Sequence, residues 1–394
     1  MPVPEFNLPS RIDIENSFNG RKMLNVIEGQ FADKSILITG CPGSGKTTVS
    51  IHRFIFLHNS GQQVVLLTFQ NLLRLSMETC LKNLNIPTNN VDTLCKWYSR
   101  KTGGKYFYEG ANYHLPSAAD IHKQLLVAMP QQLHEIIIDE GQDVNPKGYD
   151  VLPHFGAKMT VGADDAQQVH AMGSTLAQIQ QGLENHGSIH FCELQYNYRN
   201  SYETYNFARQ FVPDIPTANN KTTLALLETH RSGNASETPR VFIYHSEEQL
   251  KDRIARIIEN TEGRLAVLLP TSADVDALNN MVRSITINGN PITCTKYYNR
   301  TEIPTHLEKI LVTTFASAKG MEFETVIMPR LHNSTEQKMR KQCFVGSTRA
   351  KRNLYVFCHK TIHVMLSTFD KKSYNLQDLA DPVGTYGSSR NDIS

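Results

Sequence analysis

The sequence lacks the features that mark a secreted, membrane-spanning or strongly charged protein. Its 394 residues carry 40 basic and 38 acidic side chains, which leaves a formal net charge of only +2. A chain this close to neutral has no overall charge with which to attract nucleic acid, so any such binding must use a local surface. The longest apolar runs are about six residues, whereas a membrane-spanning helix needs about 20.

Cysteine is scarce and follows no pattern. The seven cysteines are odd in number and include no C-x-x-C pair; they are Cys41, Cys80, Cys95, Cys192, Cys294, Cys343 and Cys358. Disulfide frameworks and metal clusters both need paired or closely spaced thiols, so we expect neither. The first residues show no basic stretch followed by an apolar one, as a secretory leader would. We therefore expect a cytoplasmic protein that is not attached to a membrane.

One stretch differs from this plain background. Residues 40–47 read Gly-Cys-Pro-Gly-Ser-Gly-Lys-Thr, which matches the pattern G-x-x-x-x-G-K-[ST] at every fixed position. The apolar run 35–39 before it is typical of a buried strand, and residues 48–57 after it are typical of a helix. A strand, a glycine loop and a helix in this order indicate a phosphate-binding loop. The plain alternative is an ordinary glycine turn between a strand and a helix.

A phosphate-binding loop assigns definite chemistry to its residues. The backbone N–H groups and the helix N-terminus would surround a β-phosphate. Lys46 would reach the β- and γ-phosphates, and the Thr47 hydroxyl would coordinate Mg²⁺. The sequence therefore predicts a site for ATP and Mg²⁺, built from Gly40, Gly43, Ser44, Gly45, Lys46, Thr47 and Thr48.

The alternation of short apolar runs with helical patterns predicts an α/β fold. Buried strands are expected at 35–39, 64–69, 135–140 and 159–162, and again at 240–244, 265–269, 310–314, 325–328 and 354–357. Such a pattern favours parallel sheets that are covered on both faces. We expect two lobes, 1–192 and 193–366, with a small insertion near 99–119 and a flexible tail over 367–394.

A second motif, Asp139-Glu140-Gly141-Gln142-Asp143, directly follows the apolar run 135–138. Acids at the carboxyl end of a buried strand face the ligand in α/β sheets. Asp139 would hold Mg²⁺, and Glu140 would take a proton from the attacking water. Two adjacent carboxylates are more often just a solvated turn. Here they follow a strand downstream of a phosphate loop, and that combination favours a catalytic role.

The D-E-G-Q-D segment resembles the D-E-x-Q-D motif of the UvrD/Rep-type superfamily 1 DNA helicases, and segments similar to the family's other motifs follow in order. These segments are 45–53 for the phosphate loop and its helix, 68–71 for motif Ia, 91–94 for motif Ib, 161–168 for motif III, 194–201 for motif IV, 314–323 for motif V and 344–351 for motif VI. The resemblance touches both halves of the chain. It implies two RecA-like P-loop lobes with parallel sheets and a nucleotide site in the cleft between them.

The resemblance also implies roles for single residues at the nucleotide. Arg53, on the helix after the loop, would lie near the nucleotide. Tyr198 would stack on the adenine, and Glu322 would accept a hydrogen bond from the ribose. Gln167 would couple the γ-phosphate to the nucleic acid.

The remaining implied roles concern charge and the nucleic acid. Arg199 and Arg349 would reach the γ-phosphate from the second lobe and stabilise its charge during transfer. The implied catalytic set is therefore Lys46, Asp139, Glu140, Gln167, Arg199 and Arg349. The implied contacts to a nucleic acid are Phe69 and Asn71 of motif Ia, Thr93 of motif Ib and Thr314 of motif V.

The chain also departs from the family pattern. No glutamine that could read adenine is evident near 20–24, upstream of the phosphate loop. Ala316 stands where the family usually has His, and residues 169–172 lack the aromatic side chains that stack on single-stranded bases. The intervals Thr93–Asp139 and Arg199–Thr314 are too short for the family's full accessory subdomains. We therefore expect a two-lobe motor without the parts that help to separate a duplex.

The motifs together predict an ATP hydrolase that translocates on single-stranded DNA as a helicase, with RNA left open as the strand. The resemblance implies 3′-to-5′ polarity. It also implies a nuclease or other effector as partner, for example in anti-phage defence. One alternative is an ATP-gated, nucleic-acid-sensing module that switches a partner protein without processive movement. A small-molecule kinase would share the phosphate loop but would leave motifs III to VI unexplained.

Overall fold

The computed structural model describes residues 6–31, 33–103, 117–128, 132–170, 172–231, 237–298, 301–304, 306–331, 337–380 and 385–386. The chain divides into two compact units, Val3–Tyr198 and Arg199–Ser394. Each unit is built on one large sheet. The architecture is α/β, with two sheets of mainly parallel strands, as expected of two RecA-like P-loop lobes.

A six-stranded parallel sheet forms the centre of the first unit. Its strands are β1 (Ser35–Gly40), β2 (Val64–Thr68), β3 (Val91–Thr93), β4 (Glu135–Ile138), β5 (Met159–Ala163) and β6 (Ile189–Leu194). Their spatial order is β3-β2-β4-β5-β1-β6. The inner strands β1, β2 and β4 are rich in Val, Leu and Ile because both faces of the sheet are covered, and all four positions of β4 are buried.

Helices cover this sheet on both faces. They are α1 (Arg11–Glu15), α2 (Gly20–Ile27), α3 (Lys46–Asn59), α4 (Asn71–Asn83), α5 (Leu94–Thr102), α6 (Ala118–Ala128), α7 (Pro146–Val151) and α8 (Leu176–Glu184). Ile136 and Ile138 pack into one apolar cluster with Trp97 and Tyr149. Ile137, between them, packs into another cluster with α3 and α4. Successive residues of a strand point to opposite faces, so the two clusters lie on the two sides of the sheet.

The second unit is built on an eight-stranded sheet. It contains β7 (Arg240–Tyr244), β8 (Leu265–Leu269), β11 (Thr295–Tyr297), β12 (Ile310–Thr314), β13 (Phe323–Met328), β14 (Ala350–His359), β15 (Asn375–Asp378) and β16 (Thr385–Tyr386). The order is β11-β12-β8-β13-β14-β7-β15-β16, and only the last pair is antiparallel. A separate small hairpin joins β9 (Thr286–Ile287) to β10 (Asn290–Pro291).

Six helices of the described chain belong to the second unit: α9 (Tyr202–Ala208), α10 (Lys221–Thr229), α11 (Glu247–Glu259), α12 (Ser272–Arg283), α13 (Gln337–Ser347) and α14 (Val364–Ser367). Helix α12 shows why such segments are helical. The Thr271 side chain caps its N-terminus, and Val275, Leu278 and Val282 are buried at the spacing of one helix face. Across the described ranges, no helix is both long and apolar enough to cross a membrane.

The division between the units differs from the predicted one at 192/193. It lies between Tyr198 and Arg199. Strand β6 explains the difference because it pairs with β1 along its whole length and so completes the first sheet. Its sequence, Ile-His-Phe-Cys-Glu-Leu, alternates with polar residues and is half exposed, as is common in an edge strand. That pattern was not predicted as a strand.

The prediction of a flexible tail over 367–394 is wrong for the part of it that the structure describes. Asn375–Asp378 forms strand β15 and pairs with β7. Phe369 and Tyr374 are buried and anchor the segment in the core. The polar composition of this segment predicts a flexible chain. The burial of two aromatic rings nevertheless holds it against the sheet. Residues 381–384 and 387–394 of the predicted tail lie outside the described residues.

The predicted insertion near 99–119 falls mainly on 104–116, which lie outside the described residues. The described residues on either side are helical. Helix α5 extends to Thr102, and α6 begins at Ala118. Helix α6 was not predicted, and the Gly- and Tyr-rich composition beside it gave no sign of it.

Arg53 occupies a structural position in the first unit and not the predicted position beside the nucleotide. Its guanidinium is 1% exposed and donates two hydrogen bonds to the Glu135 carboxylate, from Nε at 3.1 Å and from Nη2 at 2.7 Å. A third goes to the Ile27 carbonyl oxygen at 3.1 Å. Glu135 is the first residue of β4, whereas Asp139 follows its last residue. Because the strand rises about 3.3 Å per residue, Arg53 lies at the opposite edge of the sheet from the acids.

We predict that Arg53→Met destabilises the chain by about 3–5 kcal/mol, because the Glu135 carboxylate stays buried without its main partner. Urea unfolding followed by circular dichroism measures this. The double variant Arg53→Met/Glu135→Leu should recover most of the loss, since it removes the buried charge as well. A stable Arg53→Met chain that has lost nucleotide binding would instead place Arg53 at the nucleotide.

Candidate nucleotide site

The carboxyl ends of parallel strands meet at one edge of the first sheet. Strand β1 ends at Gly40, where the phosphate loop begins, and the Asp139-Glu140 pair directly follows β4. Strand β5 lies between them and ends at Ala163, at the start of motif III. The fold therefore brings the loop, the acids and motif III together, as is usual for ligand sites in open α/β sheets.

The loop glycines adopt conformations that other residues avoid. Gly43 and Gly45 have φ angles of 77° and 101°, in the left-handed region. At Gly40 a Cβ atom would lie only 2.5 Å from the Leu194 carbonyl oxygen. Gly45 also stands at the N-cap of α3, where it has no side chain to cover the first amides of the helix. The helix N-terminus is therefore open to an anion from the loop side.

The polar atoms of the loop fit a phosphate. The buried ammonium of Lys46 donates to the carbonyl oxygens of Gly40 at 2.6 Å and Cys41 at 3.0 Å. The hydroxyl oxygen of Ser44 is buried and has no hydrogen-bond partner in the described chain. A buried polar atom without a partner is costly, and a phosphate oxygen would satisfy it. Thr48 is also buried, in the first turn of α3.

Thr47 and Asp139 lie in contact although 91 residues separate them in the chain. The Thr47 hydroxyl donates to Asp139 Oδ2 at 2.8 Å. Ser50, one turn further along α3, lies 3.4 Å from Oδ1 of the same carboxylate. Burial, together with the neighbouring Glu140 carboxylate, raises the pKa of Asp139 to about 7, although Thr47 and Lys46 oppose the rise.

This donor set fits Mg²⁺. A hard divalent cation prefers oxygen ligands, and a hydroxyl with one carboxylate is the usual protein share of a nucleotide-bound Mg²⁺. The raised pKa of Asp139 means that its negative charge lacks compensation where it is buried. A cation held by Thr47 and Asp139 would supply that compensation. The two residues predicted as metal ligands are thus brought together.

Glu140 is held in a strained backbone conformation. Its φ and ψ angles are 60° and 43°, a left-handed conformation that is uncommon for a residue other than glycine. Gln142 Nε2 donates to Glu140 Oε2 at 2.6 Å and so fixes the carboxylate. Gly141 must be glycine, because a Cβ would lie 2.4 Å from a methyl group of Val161 and 2.8 Å from the Tyr149 hydroxyl. Tight packing around Gly141 thus fixes the turn, and the turn fixes the position of the Glu140 side chain.

A buried network joins Glu140 to the predicted coupling residue Gln167. Gln142, which holds Glu140, accepts a hydrogen bond at Oε1 from the backbone N–H of Asp164 at 3.1 Å. The Asp164 carboxylate in turn accepts from Gln167 Nε2 at 2.9 Å. All four side chains are buried. Sequence reasoning gave Gln142 no role, although it stands inside the quoted D-E-G-Q-D motif.

Tyr198 lies in the first unit, not in the second lobe where it was predicted. Its backbone N–H donates to the Gly43 carbonyl oxygen at 2.9 Å, which ties it to the phosphate loop. Its ring is 45% exposed and lies 4.7 Å from the ring of Tyr196, which stacks on Phe18 at 5.5 Å. These three rings form an aromatic surface beside the loop.

Asn19 connects this aromatic surface to the loop, and sequence reasoning missed it. Its backbone N–H donates to the Tyr198 hydroxyl oxygen at 2.9 Å, and its side-chain amide lies 3.4 Å from the Ser44 carbonyl oxygen. Lys22, in the stretch without an adenine-reading glutamine, instead donates to the Glu193 carbonyl oxygen at 3.0 Å. Asn19 stands at the N-cap of α2 but makes no side-chain capping hydrogen bond, so no local signal in the sequence reveals this link.

The second unit brings together two other predicted nucleotide residues. Arg199 Nε lies 3.2 Å from Glu322 Oε2. Burial raises the pKa of Glu322, but the charges of Arg199 and Lys351 outweigh it, so the net pKa is lowered. The guanidinium of Arg349 is buried and donates to the Val345 carbonyl oxygen at 3.0 Å. Contact of Arg199 and Arg349 with a nucleotide stays a prediction.

Unsatisfied polar atoms mark motif Ia at the end of β2. Thr68 Oγ1, Asn71 Oδ1 and Arg74 Nε are all buried and have no hydrogen-bond partner among the described residues. Thr93, the predicted motif Ib contact, pairs with Thr68 in the strand register and caps α5. Three such atoms within seven residues fit a ligand that supplies donors and acceptors.

Phe69 of motif Ia packs against a residue that sequence reasoning dismissed. Its ring lies 4.9 Å from the imidazole of His170, and Gln70 Nε2 lies 3.3 Å from His170 Nε2. Residues 169–172 include no Phe, Tyr or Trp, but the imidazole face of His170 can also stack on a base.

Thr314 of motif V lies in the second unit. Its hydroxyl group forms a hydrogen bond of 2.9 Å with the Ser317 hydroxyl group.

Comparison with known proteins defines the class. Residues 24–174 match the model of an AAA domain, and residues 122–358 match that of the viral superfamily 1 RNA helicase core domain. No curated protein matches the chain. The C-terminal domain of a possible DNA helicase from Lactobacillus plantarum WCFS1 is 17% identical, with 45% of this chain and 98% of that chain covered; its TM-score of 0.34 is too low to support an argument.

The fold and the site define a superfamily 1 helicase-like nucleoside triphosphatase. The second match covers more than half of the chain, so the chain belongs to the viral superfamily 1 RNA helicase core domain family. Such domains hydrolyse nucleotides in general and use ATP and Mg²⁺. The narrower UvrD/Rep-type resemblance is not decided by these matches.

We predict that Asp139→Asn stabilises the metal-free chain at alkaline pH. The raised pKa means that the folded state keeps a proton that the unfolded chain releases, so Asp139 costs stability as the pH rises from about 4 through about 7. The variant should be more stable than the parent at pH 8 by up to about 4 kcal/mol, and little changed at pH 4. Urea unfolding in a chelator at both pH values measures this. A variant that is less stable than the parent at pH 8 would contradict it.

Proposed function

We propose that this chain hydrolyses ATP with Mg²⁺ and uses the energy to move along single-stranded nucleic acid. One observation carries the proposal: the Thr47 hydroxyl and the Asp139 carboxylate are in contact beside a phosphate loop whose lysine is already in place. An ordinary glycine turn would not need a buried carboxylate with a raised pKa at this point.

Each residue of the first unit has a separate task in this proposal. Lys46 and the loop amides hold the β- and γ-phosphates, and Thr47 with Asp139 would hold Mg²⁺, which lowers the charge on these phosphates when bound. Glu140 accepts the proton of the attacking water. Gln142 keeps the Glu140 carboxylate in position at 2.6 Å, so the base does not need to reorganise during the reaction. The exposed Tyr198 ring offers a face for the base of the nucleotide.

For the nucleic acid we propose the edge of the first sheet formed by motifs Ia and Ib. The Thr68 hydroxyl and the N–H groups of the Asn71 side-chain amide, together with Thr93, would donate to the phosphates of the strand, and Phe69 with His170 would face a base. In the second unit, Thr314 would add a contact, and Arg199 and Arg349 would serve the γ-phosphate.

The finer assignments rest on the motif resemblance. It favours DNA as the strand, UvrD/Rep-type translocation with 3′-to-5′ polarity, and a nuclease or other effector as partner. The matched family is described as an RNA helicase core, so both strands belong in the first binding assays. A strand with a fluorophore at either end, whose signal changes on arrival of the protein, reads the polarity directly.

We predict that Glu140→Gln binds ATP like the parent but hydrolyses it about 10²–10⁴-fold more slowly, because an amide keeps the shape yet cannot take the proton. Phosphate release and fluorescent-nucleotide titration measure the two properties. Lys46→Ala is the matched control, since it should lose both binding and turnover while remaining folded. Loss of nucleotide binding in Glu140→Gln would make Glu140 a structural residue.

We predict that Asn71→Ala weakens binding to a single strand about fivefold or more, because it removes a contact to the strand at motif Ia. Asn83→Ala is the control, because it lies at the other end of α4, about 18 Å away. Fluorescence anisotropy with a labelled oligonucleotide at two salt concentrations measures both, and the parent should bind more weakly at the higher salt. Equal losses of affinity in the two variants would show that motif Ia does not contact the strand.

A further inference from the structure

Three arginines of the second unit come together on one face of its sheet. Arg240 is the first residue of β7, and Arg253 and Arg256 lie in the second half of α11. The guanidinium carbon of Arg253 lies 4.8 Å from the centre of the Phe242 ring. Phe242 is two positions after Arg240, so both point to the same side of β7. Arg256 lies one turn after Arg253 on the same side of α11.

These three guanidinium groups form no ion pair and no side-chain hydrogen bond with any part of the chain that the structure describes. Burial lowers the pKa of Arg253, and the positive charges of Arg256 and Arg240 lower it further. Of the groups that act on Arg253, only Tyr355 opposes this shift, and no carboxylate is among them. The three like charges therefore repel one another, and an anion would relieve the repulsion.

Two aromatic rings support this cluster from the sheet. Tyr355 of β14 pairs with Arg240 in the strand register, and its ring stacks on that of Phe242 at 6.1 Å. Burial raises the pKa of Tyr355, although Arg240 and Arg253 oppose the rise. The Tyr355 hydroxyl thus keeps its proton and can donate a hydrogen bond. We call Arg240, Arg253, Arg256 and Tyr355 the arginine surface.

The next strand adds polar residues without charge. Strand β15 lies beside β7, and its Asn375 and Gln377 pair in register with Arg240 and Phe242. They therefore stand on the same face of the sheet. Side-chain amides commonly contact phosphate groups in nucleic-acid complexes. At these positions β15 extends the arginine surface and does not neutralise it.

The arginine surface lies on the other face of the sheet from α13. Ile327 of β13 packs with the apolar residues of α11, whereas the next residue, Met328, lies 3.5 Å from the Ser347 hydroxyl oxygen of α13. Helices α11 and α13 thus cover opposite faces. Arg349, a predicted nucleotide residue, directly follows α13 and donates to one of its carbonyl oxygens. Thr314 ends β12, which is four strand positions from β7, or about 19 Å.

The predicted ribose contact is also distant. Glu322 pairs with Arg199 at 3.2 Å and with Lys351 at 3.5 Å. Lys351 precedes Tyr355 by four positions of β14, which corresponds to about 13 Å along the strand. None of the second unit's predicted nucleotide or nucleic-acid residues therefore belongs to the arginine surface.

We propose that the arginine surface binds the phosphate backbone of a nucleic-acid duplex. Guanidinium groups match the charge and the oxygens of phosphates, and the Tyr355 hydroxyl adds a donor. Phe242 is buried and Tyr355 stacks on it, so the surface offers no platform for successive unpaired bases, which a site for single strands would use. Contacts to phosphates alone suit a duplex, whose bases are already paired.

Such a contact presupposes the proposed function, in which nucleic acid is the partner, and it adds a place for the double-stranded part of the substrate. The intervals between the motifs are too short for the family's full accessory subdomains. A duplex contact on the core of the second unit would therefore supply what the chain otherwise lacks.

Fluorescence anisotropy of the full chain with a short, labelled, blunt DNA duplex tests the proposal. Arg240→Gln/Arg256→Gln should weaken binding about tenfold or more, since two hydrogen bonds to charged groups are lost. The slope of the logarithm of the association constant against that of the salt concentration should fall by about 0.9 per arginine. Arg240→Lys/Arg256→Lys should restore the slope but only part of the affinity, because an ammonium cannot bind a phosphate bidentately.

Lys251→Gln is the matched control. It removes a cation from the same helix, but Lys251 lies two residues before Arg253 and hence about 200° around the helix axis. It should change neither the duplex affinity nor the salt slope. Single-strand binding and ATP hydrolysis use none of these residues, so both should be unchanged in Arg240→Gln/Arg256→Gln, which also shows that the variant is folded.

Equal duplex affinity of the parent and Arg240→Gln/Arg256→Gln overturns the proposal. A matching loss of affinity for a single strand also overturns it, because the surface would then serve the single strand. Displacement of the duplex by a polyglutamate peptide as effectively as by unlabelled duplex would identify an acidic protein as the partner and overturn it too.

The proposed function and the arginine surface can fail separately. If single strands do not stimulate ATP hydrolysis but Arg240→Gln/Arg256→Gln still loses duplex affinity, the motor fails and the surface stands. If single strands stimulate hydrolysis and the variant binds duplex like the parent, only the surface fails.

Discussion

The hydrogen bond from the Thr47 hydroxyl to the Asp139 carboxylate is the contact on which the site depends. It joins the first turn of α3 to the end of β4. Strand β5 lies between β4 and β1, the strand that leads into the phosphate loop. The contact fixes the loop against the sheet, and the loop in turn orients Lys46. It also requires a buried carboxylate, and the cost of that burial appears as the raised pKa of Asp139. A cation at this point relieves the cost, so the fold is prepared for a metal-bound nucleotide.

Much of the first unit could be predicted because its signals are local. The strand before the phosphate loop is a continuous apolar run, and the glycines of the loop have to be glycines for backbone reasons. The same holds for the acids, since Ile136 to Ile138 identify a buried strand and Asp139 must then stand at its end. In the second unit, β8 and α12 were predicted from apolar runs and helical spacing in the same way.

The features that could not be predicted depend on partners far away in the chain. The sequence around Arg53 predicts a nucleotide contact, but in the fold its guanidinium donates to the carboxylate of Glu135, which lies 82 positions later in the chain. Strand β15 is polar, and only the burial of Phe369 and Tyr374 explains why it joins the sheet. His170 becomes relevant only because the fold places it on Phe69, 4.9 Å away. No local pattern carries these pairings, which is why family resemblance misplaced Arg53.

The most direct measurement of the central claim is the steady-state rate of phosphate release from ATP by the full-length chain with Mg²⁺, with and without a single-stranded oligonucleotide. We predict measurable hydrolysis that a DNA or RNA single strand accelerates about tenfold or more and that a chelator abolishes. A chain that hydrolyses ATP at one rate regardless of nucleic acid, or that does not hydrolyse it at all with both strands present, would show that it is not a nucleic-acid-driven ATP hydrolase.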